Sequence, residues 1–143
     1  MGTSLAARVG VAFGAFYVAI GVIGFFVTGF GGALTGEHGD SLLGVSINQF
    51  HNIAHIGIGA LLLVLSMQKS DAATEGAVMG VGLFYVVAFV IGVTASDNLT
   101  ILGMRGEDDP ANFFHLISGV TLLVTGLLSS AATATQAKKR GLA

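Results

Sequence analysis

The sequence predicts an all-α protein, an integral membrane four-helix bundle made of two tandem two-span repeats. Three observations predict it. Hydrophobic residues make up 53% of the chain and charged residues 10%, with a mean hydropathy of +0.84, whereas a soluble domain is about a quarter charged. Four uncharged stretches are each long enough to cross a bilayer, and short polar segments separate them. The second half of the chain also repeats the residue pattern of the first. The 143 residues read as one membrane domain.

The same composition excludes several classes of function. There is no cysteine, which removes disulfides, thiolate metal sites, iron–sulfur clusters and cysteine nucleophiles. A net charge of -2 with no basic run before the first apolar stretch gives no footprint for nucleic acid. Glycine at 22 and proline at 1 suit closely packed, mostly unbroken membrane helices.

The first span, Val9 to Phe30, carries no charge and is roughly 22 residues long, about 33 Å of helix. It is too long for the apolar core of a cleaved leader and reads as a retained span. Gly10-x-x-x-Gly14 offers it a packing face. Gly31 to Val45 reads as a loop in which His38 is solvated. Ser46 followed by Gln49 resembles a capping box and predicts a second span over 46–67. The short connection from Lys69 to Glu75 makes the second span and the third, 76–95, antiparallel neighbours. A polar loop from Ser96 to Asp109 follows. Asp109-Pro110, a carboxylate at the N-cap and then a residue with no N–H to satisfy, opens the fourth span over 110–132. All eight acidic residues fall in or beside loops on this reading.

With four spans, Arg8, Lys69, Lys138, Lys139 and Arg140 share one side and only Arg105 lies on the other. The excess of basic residues predicts that both termini are cytoplasmic.

The repeat pairs residues 8–67 with 76–132. Gly14, Phe16-Tyr17-Val18 and Val22-Ile23-Gly24 align with Gly82, Phe84-Tyr85-Val86 and Val90-Ile91-Gly92. Asn52, His55, Gly59 and Leu62-Leu63-Val64 align with Asn112, His115, Gly119 and Leu122-Leu123-Val124. Two hairpins of one orientation predict a pseudo-twofold axis along the membrane normal. The second and fourth spans then sit diagonally, with His55 and His115 at one depth, roughly 13 Å below the surface. Tyr17 and Tyr85 approach that level from the opposite side, within hydrogen-bonding reach of the imidazoles.

Ionisable groups at membrane depth are functional candidates, and four readings follow. In the first, Asn48, Asn52, Asn112, Tyr17, Tyr85 and the histidines form a structural polar layer that fixes the register of the hairpins. In the second, His55 and His115 are the axial pair of a b-type haem. In the third, His51 and His55, spaced i and i+4, join His115 in a metal site, with no carboxylate nearby to complete it. In the fourth, the imidazoles serve a small transporter or proton path. Catalysis is not expected, because no metalloprotease helix motif, nucleophile elbow or phosphate loop is present.

The run Asn48-x-x-His51-Asn52-x-x-His55-x-x-x-Gly59, the later Asn112-x-x-His115-x-x-x-Gly119, and the Phe-Tyr-Val and Val-Ile-Gly spans resemble the bacterial membrane proteins grouped as domain of unknown function 4383. The resemblance covers Arg8 to Ser130. It implies a small four-span protein of the bacterial inner membrane and carries no established activity. The second copy departs from the first in having Ala111 where the first has His51. The leading expectation is a non-enzymatic accessory or assembly component without a cofactor. Its partners would be the bilayer and other membrane proteins or further copies of itself. A haem- or metal-binding module is the alternative.

Overall fold

The computed structural model describes residues 4–31, 34, 40–68, 70–95 and 101–142. Its framework is four helices: α1 (Leu5–Thr28), α2 (Gln49–Ser66), α3 (Asp71–Thr94) and α4 (Pro110–Lys139). All four are long and apolar enough to cross a membrane, which fits a small membrane protein. His38 and Lys69 lie outside the described residues.

Each helix begins where a short polar side chain satisfies a free backbone N–H. Ser4 accepts from the Ala7 N–H, Asn48 from His51, Ser70 from Ala73, and Asp109 from Ala111 with Pro110 in the first turn. These caps shift the helix bounds from those predicted. Ser46 does not cap α2, because it lies in a two-stranded antiparallel hairpin where a loop was expected. The hairpin pairs β1 (Asp40–Leu42) with β2 (Val45–Ile47). Asn48 is therefore the first residue free to cap, and α2 is shorter than the apolar run. In contrast, α3 starts at Asp71 and α4 continues to Lys139, since helix propensity carries both past the apolar window.

Small and polar residues make up the interior. The buried positions of α1 are Ala6, Ala7, Gly10, Gly14, Tyr17, Gly21 and Gly24, a seam spaced by threes and fours. Large apolar side chains such as Phe16, Ile23, Phe26, Leu83, Phe84 and Leu128 point outward, the arrangement expected when the solvent is hydrocarbon. The main packing is α1 on α2 and α3 on α4, and α1 also meets α3 across the centre.

Contacts in the two helix pairs run in parallel. A Cβ on Gly14 would strike the Gly59 carbonyl, and one on Gly82 would strike that of Gly119. A Cβ on Gly24 would collide with the Asn52 side chain, and one on Gly92 with that of Asn112. Only glycine lets these backbones approach so closely.

The loops form a roof at the end of the bundle that holds the N-termini of α2 and α4. The Asn48 side-chain amide donates to the Ile101 carbonyl at 3.1 Å, and that of Asn112 to the Gly106 carbonyl at 2.8 Å. The Gln49 amide donates to the Gly31 carbonyl at 2.7 Å, and Arg105 reaches the Gly44 carbonyl at 3.1 Å. Met104 is buried beneath this cover.

At the opposite end, Glu75 corrects the expectation that every acidic residue lies in or beside a loop. It sits in the second turn of α3, 5% exposed. Its Oε1 accepts hydrogen bonds from Ser129 at 3.1 Å and Thr133 at 2.8 Å. Between Glu75 and the roofed end, Leu62, Val78 and Leu122 are fully buried and form an apolar layer.

Candidate functional site

The site begins with the start of α2. Because Asn48 caps the helix, His51 falls in its first turn and His55 one turn on, on the same face. His55 is therefore about 9 Å of helical rise from the end of α2, shallower than the spacing alone predicted, because the hairpin absorbs the residues before Asn48. His115 occupies the second turn of α4. The three imidazoles thus meet just under the roof.

One ring nitrogen from each of His51, His55 and His115 lies within 4.8 Å of the other two. The His51 ring is 4.4 Å from that of His55 and 6.1 Å from that of His115, centroid to centroid. His51 thus stands between the two histidines expected to face each other. His51 is 2% exposed and His115 6% exposed, and His55 is partly buried. Among the described residues, Nδ1 of His51 and Nδ1 of His115 are buried with no hydrogen-bond partner. The His51 ring also lies against backbone groups of Ser46 and Leu102, a contact that fixes ring orientation.

The other predicted polar residues are buried in this region, but their partners are not the imidazoles. Asn48 caps α2 and, together with Asn112, holds the roof, and the Asn52 amide donates to the Thr28 hydroxyl at 3.0 Å. The Tyr17 hydroxyl donates to Ser118 Oγ at 2.6 Å, so the expected tyrosine–imidazole hydrogen bond is not the one formed. Tyr17 and Tyr85 instead stack, with ring centroids 4.9 Å apart and planes 15° apart. Tyr17 then packs against His55 at 5.3 Å and Tyr85 against His115 at 5.4 Å. The stacked rings lie beneath the imidazoles, and the Tyr85 hydroxyl is buried without a hydrogen-bond partner among the described residues.

Sequence reasoning missed two parts of this site. Asp109 is 2% exposed and close enough to His51 and His115 to act on both electrostatically, contrary to the expectation of no nearby carboxylate. Its oxygens are already engaged by the Ala111 and Arg105 N–H groups at 2.9 Å, so it is a neighbouring charge and not an open ligand. The Asp-Pro helix start was the available signal, since a capping carboxylate at 109 must sit near the first turns of α4. The second part is the hairpin. Leu42, Val45 and Ile47 line a cleft of about 240 Å³ that the three histidines also line.

Three imidazoles with converging nitrogens, surrounded by apolar side chains, are a donor set for a first-row transition metal. A tetrahedral ion with bonds of about 2.0–2.1 Å needs its ligand atoms roughly 3.3 Å apart. The three nitrogens, within 4.8 Å of one another, would have to draw closer by up to about 1.5 Å to hold such an ion.

No curated protein and no solved structure matches the chain. The family model described as Domain of unknown function (DUF4383) matches residues 8–128, and the chain belongs to that family.

Proposed function

We propose that the protein is a membrane-embedded module that binds one divalent transition-metal ion through His51, His55 and His115. The observation that carries this is the pair of buried, unpartnered Nδ1 atoms within a three-histidine cluster. A buried polar atom without a partner costs about 1–3 kcal/mol, and an ion would satisfy the nitrogens that ligate it. Three protein ligands leave one coordination position for another donor.

The haem reading has less support, because a macrocycle needs a flat gap between His55 and His115. His51 stands in that gap, and the stacked tyrosines close it from below. The transport reading also has less support, because the apolar layer of Leu62, Val78 and Leu122 separates the histidines from Glu75.

Our reading places both termini in the cytoplasm, since Arg8, Lys138, Lys139 and Arg140 gather at the end remote from the roof. The metal site then faces the outer leaflet. We read the two helix pairs as tandem repeats about an axis along the membrane normal, which the matched glycine contacts support. In the bacterial inner membrane the module acts as a non-enzymatic accessory component, beside other membrane proteins or further copies of itself.

Metal analysis and an absorption spectrum of protein purified in detergent and exposed to zinc test the reading. The expected result is one zinc per chain, no Soret band, and loss of the zinc in His51→Ala or His115→Ala. Less than a tenth of an equivalent of metal in the parent protein, or a Soret band, would sink it.

A further inference from the structure

We infer that the fourth coordination position is reached from the lipid, and that it accepts a lipid-soluble molecule presenting one neutral nitrogen or oxygen donor on a ring-sized apolar body. This rests on the metal reading above and adds the class of the second ligand and its route.

The cleft over the histidines runs between α1 and α4, with the hairpin across its top, and no residue of α3 lines it. Its walls are Ile20 of α1, Ala111 of α4 and the apolar hairpin residues. Phe16 and Phe114 also line it, and each is 56% exposed on the outer face of the bundle. They mark the mouth. Phe16 lies near the middle of α1, at a depth where the surrounding medium is acyl chain rather than water. The polar groups in the cleft are the three imidazoles, Tyr17, Asn52 and Ser118. Of these, Tyr17 and Ser118 are spent on each other and Asn52 on Thr28. Among the described residues lining the cleft, only the imidazole cluster offers unsatisfied nitrogen, so a ligand there meets one polar point at the bottom of an apolar slot.

The volume sets the size. A dry cavity of about 150 Å³ holds benzene, and this cleft is about 240 Å³. A hydrated anion would have to shed its water against apolar walls, whereas a ring with one donor atom is solvated by them.

The space traces to a single position. Where the first half of the chain has His51, the second has Ala111. His51 supplies the third imidazole, and the small side chain of Ala111 leaves the cleft open on the α4 side. One departure from the repeat creates both the ligand set and the room beside it.

The test uses the full chain in lipid nanodiscs loaded with cobalt(II), whose visible bands report a change of ligand. Imidazole and 4-phenylimidazole are titrated separately. The proposal expects 4-phenylimidazole to shift the bands at a concentration on the order of 10-fold or more lower than imidazole, because its ring is buried in the cleft. Ala111→Leu and Ile20→Trp fill the cleft from opposite walls. Both are expected to bind cobalt at the parent stoichiometry and to lose that preference. Since both variants sit in the same lipid, they control for partition of the probe into the bilayer. Equal responses to the two probes in the parent protein overturn the proposal, as does a preference that survives in a cobalt-loaded variant. Failure of the parent to take up cobalt overturns the metal reading itself, and is told apart by the absence of any visible band before probe is added.

Discussion

Truncating His51 tests whether its buried nitrogen is a ligand atom or a packing defect, because the two cases differ in how stability responds to metal. His51 is 2% exposed and its Nδ1 has no partner among the described residues. In chelator, His51→Ala removes an unsatisfied buried atom, a gain of about 1–3 kcal/mol. It also forfeits ring packing and leaves a void, a loss of about 2–3 kcal/mol by comparison with other large-to-small changes. The two largely offset, so the variant is expected within about 2 kcal/mol of the parent. With zinc at 100 times its dissociation constant, the parent gains about 2.7 kcal/mol and the variant, with two imidazoles left, gains little. For a domain of this size or somewhat larger, that corresponds to a difference in melting temperature of about 5–11 °C. The assay is thermal unfolding of both proteins in one detergent, with EDTA and then with zinc. Equal stabilisation by zinc would refute the ligand assignment. A loss of several kcal/mol in EDTA would show instead that the ring is a satisfied part of the core.

Four further outcomes follow from the packing and the site. In Gly82→Ala the new Cβ would lie 2.6 Å from the Leu123 nitrogen and 3.0 Å from the Gly119 oxygen, forcing α3 off α4. A loss of about 1–3 kcal/mol is expected in thermal unfolding, whereas Gly80→Ala, which meets nothing within 4 Å, should not destabilise. Tyr17→Phe removes the 2.6 Å bond to Ser118 and should cost about 1 kcal/mol while leaving zinc stoichiometry unchanged by metal analysis. Leu43 holds φ at 54° in the hairpin turn and is 98% exposed. Because a left-handed backbone costs most side chains about 1–2 kcal/mol and asparagine less, Leu43→Asn should raise the melting temperature by a few degrees. Acidification should release zinc in equilibrium dialysis, since a protonated imidazole cannot ligate. Affinity is therefore held at neutral pH and lost as pH falls.

The helices were legible in the sequence because hydrocarbon imposes a simple rule, that a spanning segment must be apolar and satisfy its own backbone. The fourth helix start was legible too, since Asp109-Pro110 has few other uses. Where polar side chains had more than one partner in reach, the sequence was less informative. Ser46 and Asn48 both suit an N-cap, and the choice fell to Asn48 because Ser46 pairs across the hairpin with Ser41. That choice moved His51 into the first turn and brought the cluster under the roof. Asn48 and Asn112 look like partners for the histidines when only the bundle is considered. Their amides go to loop carbonyls, and loop paths leave no periodic trace in a sequence. Glu75 looked like a loop residue because its helix starts at Asp71, ahead of the apolar window.

A polar layer that only held two helix pairs in register would have its groups satisfied, because interhelical glue stabilises through completed hydrogen bonds. Most of this interior meets that condition. Tyr17 is bonded to Ser118, Asn52 to Thr28, and Glu75 to Ser129 and Thr133. The Asn48 and Asn112 amides hold the roof, and the matched glycines already set the approach of the helices. Register is thus secured without the imidazoles. Among the described residues, the buried side-chain atoms without a partner are Ser66 Oγ, Tyr85 Oη, Asn112 Oδ1 and Nδ1 of His51 and of His115, and of these the two histidines are the ones that a third donor residue joins. Leaving two buried ring nitrogens unsatisfied costs stability unless something binds them. One ring nitrogen from each of His51, His55 and His115 lies within 4.8 Å of the other two, the geometry on which the single-ion reading rests. If instead the cluster were a packing accident, replacing all three histidines with apolar side chains of similar volume would stabilise the protein in zinc and in chelator alike.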